Sequence, residues 1–217
     1  MTARMPFSAR QIFIAIVAMT SVVLASNILV QHPVHAWLGP INLADLLTWG
    51  AFTYPLAFLV TDLTNRRFGP SAARMVVCAG FLVAIALSVV LSTPRIAIAS
   101  GTAFLVAQLL DVAIFDRLRR GTWWRAPLVS SVAGSLIDTA LFFGIAFAAA
   151  FAFIGPNDPF AIEAAPLLGV LPVDVPRWMS WALGDLSVKL VVALALLAPY
   201  RILIAAIGVG PARSLKA

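Results

Sequence analysis

Long apolar runs, each carrying one or two polar positions, follow one another along most of this chain. The first covers about 12–30 and begins after Arg10. The second, about 44–64, reads LADLLTWGAFTYPLAFLVTDL and contains Asp45, Pro55 and Asp62. The third, about 72–92, is the most uniformly apolar. The fourth, about 95–115, has Gln108 and Asp111 in its second half, and the fifth, about 127–154, has Asp138 near its middle. The sixth, about 180–206, carries Asp185 and Lys189 in its first half. A membrane-crossing helix needs roughly 20 mostly apolar residues. The pattern therefore predicts an all-α integral membrane protein with six transmembrane helices in a single domain over 1–217. The first run starts as a signal peptide would, but it lacks a small-x-small cleavage pattern and has Asn27 and Gln31 at its far end, so it reads as a retained helix.

Composition agrees. Apolar residues make up 62% of the 217 positions and charged residues 11%, where a soluble domain has about half and about a quarter. That excludes a lone water-soluble domain. With one cysteine, Cys78, a disulfide scaffold is excluded too. The net charge of +6 would suggest a nucleic-acid partner in a soluble protein. Its distribution says otherwise. Arg4 and Arg10 precede the first run; Arg66, Arg67 and Arg74 follow the second; Arg117, Arg119, Arg120 and Arg125 follow the fourth; Arg201, Arg213 and Lys216 close the sixth. The alternate loops hold only Arg95 and Arg177. By the positive-inside rule both termini are cytoplasmic, and the charge reports topology, with no nucleic-acid partner. The proline-rich segment 155–179 then faces out, as an interfacial cap or a loop, with Trp178 and Trp181 as interface anchors.

The candidate chemistry lies in polar groups placed where they are expensive. Ionised side chains at membrane depth face a cavity or a partner. Asp138 is eleven residues beyond Pro127, about 16 Å of helical rise and close to mid-bilayer. Ser131 and Ser135 share its face. Asp185 and Lys189 are four apart and pair on one helix, either as a self-satisfying bridge or as a pair that opens to substrate. Gln108 and Asp111 share a face of the helix that Arg95 begins, and Asn27 and Gln31 make a similar polar pair. Such donor-and-acceptor surfaces suit a neutral planar heterocycle better than an inorganic ion. Asp62 and Asp111 have a plainer reading too: they sit near Arg66 and Arg117 and would close helix ends by pairing with them. Trp49, Phe52 and Tyr54 beside Pro55 make the second run aromatic and bent. The sequence has no Walker motif, no Cys/His cluster of metal-binding type and no Ser–His pairing at depth. It is read as a non-enzyme with no cofactor, no metal site and no ATPase of its own.

Several blocks, in order, carry a resemblance: SNILVQHP (Ser26–Pro33), TWGAFTYPLAFLVTDLTNRRFGPSAAR (Thr48–Arg74), RIAIAS (Arg95–Ser100), QLLDVAIFDRLR (Gln108–Arg119), WWRAPLVSSVAGSLIDTALFFGIAF (Trp123–Phe147), and DLSVKL from Asp185 with a later PY ending at Tyr200. Over almost its whole length the chain resembles the bacterial queuosine precursor transporter family, of the vitamin uptake transporter type. That resemblance implies a multi-pass transporter domain of the bacterial inner membrane. Its implied activity is import of 7-cyano-7-deazaguanine and 7-aminomethyl-7-deazaguanine by a secondary or facilitated mechanism. In helix number the family is similar to the substrate-binding subunits of energy-coupling-factor transporters, with no dedicated ATPase expected. The implied small-molecule partner is the deazaguanine; the residues themselves add the lipid bilayer and, because so small a bundle exposes much surface, a second copy in a homodimer.

A guanine-like edge offers a ring N–H beside an exocyclic amine, and one carboxylate accepts both. On that chemistry the expected substrate-binding residues are Asn27, Gln31, Trp49, Phe52, Asp62, Arg95, Gln108, Asp111, Ser131, Asp138, Phe142, Asp185 and Lys189. Asp138 or Asp62 reads the donor edge, Gln108 and Asn27 add amide bonds, and Lys189 held by Asp185 meets the carbonyl or the 7-substituent. Trp49, Phe52 or Phe142 stacks on the ring. Two alternatives stand beside this reading: a binding module that needs an ATP-driven partner, and a non-transporting membrane assembly protein.

Overall fold

A computed structural model describes residues 9–208; Arg4, Arg213 and Lys216 lie outside the described residues. The long elements are α1 (Ala9–Leu29), α3 (Leu56–Phe68), α4 (Pro70–Leu91), α5 (Pro94–Leu118), α6 (Arg125–Phe147) and α8 (Arg177–Ala195), which runs on into α9 (Leu197–Ala206). Among the described residues, five helical segments are long and apolar enough to cross a membrane: α1, α4, α5, α6 and Arg177–Ala206.

The second apolar run departs from a single uninterrupted span. It opens with a 3-10 turn at Leu43–Asp45, continues as α2 (Gly50–Thr53), and bends at Tyr54–Pro55 before α3. Proline has no N–H to donate, so the helix ladder is interrupted where the sequence indicated a bend. The fifth helix ends at Phe147 instead of about 154, and Ala149–Phe151 forms a 3-10 turn. The loops add two small antiparallel hairpins to the helical bundle. Strand β1 (Trp37–Leu38) pairs with β2 (Ile41–Asn42). After the short α7 (Pro159–Ile162), β3 (Ala164–Leu167) pairs with β4 (Leu171–Pro176), with Ala164 opposite Pro176.

These hairpins mark one end of the bundle. Arginines mark the other: Arg66 donates to the Tyr200 hydroxyl at 2.9 Å and to the main-chain oxygen of Arg119, and Arg67 donates to the Ile207 carbonyl. At this end α3 turns into α4 through one residue. Gly69 takes φ +88°, open mainly to glycine, and Pro70 starts α4 where its missing N–H costs nothing.

Helix α5 packs most extensively against α6 and also against α3 and α4. The main apolar core joins Met19 and Val23 of α1, Val76 and Val77 of α4, and Phe104 and Val112 of α5. Where α3 crosses α6, Gly134 lets Phe58 approach so closely that a Cβ there would lie 2.6 Å from the ring. Gly134→Ala is therefore expected to overpack the crossing and cost about 1–3 kcal/mol. Thermal unfolding in detergent checks this, with Gly144→Ala as the matched control because nothing lies within 4 Å of its added Cβ.

Candidate functional site

A cavity of about 790 Å³ lies between α1, α2, α5, α6 and α8 toward the hairpin end. The 155–179 segment contributes Phe160 and Pro166 to its wall, so that segment is a cap over the cavity. An aromatic wall continues inward: Phe142 packs edge-on to Phe143 at 5.1 Å, and Trp181 lies 5.6 Å from Phe147 and 6.0 Å from Phe160. Trp181 thus lines the cavity.

Deeper, nine residues or about 14 Å of helix before Phe147, lies the charged centre. Lys189 Nζ is 2.7 Å from Asp138 Oδ2 and 2.5 Å from Asp185 Oδ2. It also reaches Thr139 Oγ1 at 3.4 Å. The Tyr54 hydroxyl donates to Asp138 Oδ1 at 2.8 Å, and the Thr139 hydroxyl donates to Asp185 Oδ2 at 2.9 Å. Lys189 Nζ stands 5.1 Å from the Tyr54 ring centroid. Three elements build this centre: the bend before α3 supplies Tyr54, α6 supplies Asp138 and Thr139, and α8 supplies the i,i+4 pair. Each buried charge has a charged partner and further hydrogen bonds, the condition under which buried ions are tolerated. Counted formally, two carboxylates share one ammonium, so the centre presents an excess of acceptors to the cavity.

Six of the residues expected from sequence line this cavity: Asn27, Gln31, Asp138, Phe142, Asp185 and Lys189. The amide nitrogens of Asn27 and Gln31 donate one turn back along α1, to the Val23 and Asn27 carbonyls. The others lie elsewhere. Trp49 is 48% exposed and tilts against Phe52 at 5.5 Å, while Phe52 packs on the Val34–Leu47–Ala51 cluster. Buried Arg95 donates to the carbonyls of Ile145 (2.8 Å) and Ala148 (2.7 Å), to those of Gly155 and Pro156, and to Asn157 Oδ1. It ties the α6 terminus to the cap and has no edge on the cavity. The contacts it makes here are those of a clamp between the α6 end and the cap.

Gln108, Asp111, Asp62 and Ser131 gather toward the arginine end. Thr61 donates to Gln108 Oε1 at 2.6 Å, Ser130 donates to Asp62 Oδ1 at 3.4 Å, and Asn65 donates to the Val112 carbonyl. The Thr61–Gln108 and Asn65–Val112 bonds bracket Asp62 and Asp111, so the two buried acids share this α3–α5 seam. Among the described residues, neither forms an ion pair with Arg66 or Arg117, so the helix-closing pairs considered from sequence are not made. Ser131 lines a narrow crevice with Asp62 and Tyr200.

Sequence reasoning passed over Tyr54 and Thr139 as site residues. Their signals were present: Tyr54 precedes the helix-bending Pro55, and Thr139 adjoins Asp138.

The chain matches the family described as "Putative vitamin uptake transporter" over residues 48–93 and 87–204. It belongs to that family. A "Queuosine precursor transporter" of Escherichia coli (strain K12) is 35% identical over 199 residues, covering 82% of this chain and 79% of the relative. A "Probable queuosine precursor transporter" of Haemophilus influenzae is 38% identical over 175 residues, covering 68% and 72%. Another of that description, from Bacillus subtilis (strain 168), is 26% identical over 181 residues, covering 70% and 69%. No solved structure matches. With five spanning segments and transporters as relatives, the chain is a multi-pass, mostly helical membrane protein.

Proposed function

We propose that this protein imports queuosine precursors across the bacterial inner membrane, binding them in the 790 Å³ cavity. The observation that carries this reading is the Asp138–Lys189–Asp185 centre set inside a cavity of small-molecule size. The transporter relatives support it. The substrates are 7-cyano-7-deazaguanine and 7-aminomethyl-7-deazaguanine. Asp138 accepts from the ring N–H and exocyclic amine, Lys189 donates to the adjoining carbonyl, and Phe142 lies against the ring plane. Leaving these groups unpaired in a dry site is costly, which favours a guanine-like edge over other heterocycles.

The α2–α3 unit completes a six-span bundle with both termini in the cytoplasm. Arg66, Arg67, Arg119, Arg120 and Arg125 face inward by the positive-inside rule, so the cavity faces out. Transport is secondary or facilitated.

The test is binding of labelled 7-cyano-7-deazaguanine to the purified protein, together with uptake into liposomes holding only this chain. Saturable uptake is expected. Folded protein that neither binds nor transports the compound ends this assignment. Tyr54→Phe removes the 2.8 Å bond that orients Asp138, and is expected to weaken binding about 10-fold by titration calorimetry, with the fold intact.

A further inference from the structure

Helices α3 and α6 meet in three stacked layers. Tyr54 bonds Asp138. Four residues along each helix, Phe58 rests on Gly134. Four residues further, Asp62 accepts from Ser130. Steps of four are about one turn, so the layers stand roughly 6 Å apart and the two helices run in opposite directions. The first layer opens on the cavity. The second is a close apolar plug. The third contains the second acid: the Thr61–Gln108 and Asn65–Val112 bonds between α3 and α5 bracket Asp62 and Asp111 and bring the two side chains into one buried neighbourhood.

This inner pair is chemically unlike the cavity centre. Asp62 is 2% exposed and Asp111 0%. Among the described residues, neither Asp111 carboxylate oxygen has a hydrogen-bond donor, and Gln108 Nε2 has no acceptor. The charged or titratable groups that face the pair are Arg66 from α3 and Tyr200 from α9. From α6 comes the neutral Ser130. Arg66 places its Nε on the Tyr200 hydroxyl, its Nη1 on the Arg119 carbonyl and its guanidinium 5.2 Å from the Phe115 ring centroid, while among the described residues its Nη2 has no hydrogen-bond partner. Two neighbouring buried carboxylates repel each other when both are ionised and are cut off from bulk water. One proton held between them removes the repulsion and supplies the missing donor.

Resting on the transport reading above, we infer that Asp62 and Asp111 are a proton-binding pair through which a proton gradient drives uptake. The proton sits between the two carboxyls while Phe58 and Gly134 are in contact. It leaves by the crevice of about 10 Å³ that Asp62 shares with Ser131 and Tyr200 at the arginine end. Substrate at Asp138 and a proton at Asp62 act on the same two helices, which is the physical basis of coupling between them.

Two measurements on the full chain test this. The first is infrared titration of the protein in lipid without substrate. A protonated-carboxyl band is expected at neutral pH, shifted in frequency in Asp62→Asn and in Asp111→Asn, lost in the double variant, and unchanged in Asp174→Asn, which changes an exposed acid. Absence of the band in the parent protein, or its persistence unchanged in the double variant, overturns the inference. The second uses liposomes and labelled 7-cyano-7-deazaguanine. Exchange at equal pH is expected to survive in Asp111→Asn, while accumulation under an inward proton gradient falls about 10-fold or more. Undiminished accumulation in that variant, or accumulation in the parent driven by sodium alone, overturns it. If the parent protein shows no exchange, the substrate assignment fails, and the infrared result decides the proton pair by itself.

Discussion

Lys189→Met is expected to abolish uptake and to lower the free energy of unfolding by about 3–5 kcal/mol, because removing one member of a buried ion cluster strands the others. Without the ammonium, Asp138 and Asp185 lose contacts of 2.7 and 2.5 Å and face each other through Thr139. The size of the stability loss reflects abandoned charge more than the worth of the bridge. A further substitution separates the two roles. Lys189→Met combined with Asp138→Asn and Asp185→Asn removes all three charges, and most of the stability is expected to return. Uptake is not, if these are the groups that read the substrate edge as proposed. Asp138→Asn alone leaves Lys189 paired with Asp185 and keeps the fold, while substrate binding falls about 100-fold, in line with a lost charged hydrogen-bond acceptor. Thermal unfolding and liposome uptake, measured on each variant, check the pattern. Recovery of uptake in the charge-free triple variant would remove the centre from substrate recognition.

Arg95→Leu is expected to cost about 3 kcal/mol, since several acceptors lose a common donor at 1–3 kcal/mol each and water at the hairpin end restores part of that. The side chain is buried and its contacts are almost all main-chain carbonyls, from Ile145 and Ala148 at the end of α6 to Gly155 and Pro156 in the cap. Carbonyls of a helix end have no partner within their own helix. The planar guanidinium presents five donors in a fixed fork, so Arg95→Lys is expected to recover only a minor part. The measurements are the midpoint of thermal unfolding and the rate of proteolytic cleavage between 148 and 158. Faster cleavage in Arg95→Leu, with the residual folded protein still binding 7-cyano-7-deazaguanine, distinguishes a clamp from a ligand. Unchanged cleavage with lost binding would return Arg95 to the site.

The sequence by itself determined the helical membrane class and the approximate positions of five long helices, while the second run proved to be broken and the fifth helix shorter than its apolar run. It determined the Asp185–Lys189 pair as well, since four residues on a helix bring two side chains together whatever surrounds them. The bend at Pro55 was equally local. Partners from other helices were not legible. That Asp138 meets Lys189 and Tyr54, while Asp62 and Asp111 share one buried seam, depends on how α3, α5, α6 and α8 are arranged. Helical periodicity names the face a residue occupies but not the helix that covers that face. The tertiary structure alone therefore divided the polar residues into an outer cavity centre and an inner carboxyl pair. It set them two turns apart on the same two helices because Gly134 admits Phe58 between them. It also moved Arg95, Gln108 and Trp49 off the cavity: a polar or aromatic residue in a membrane helix must find a partner, and only packing decides which one.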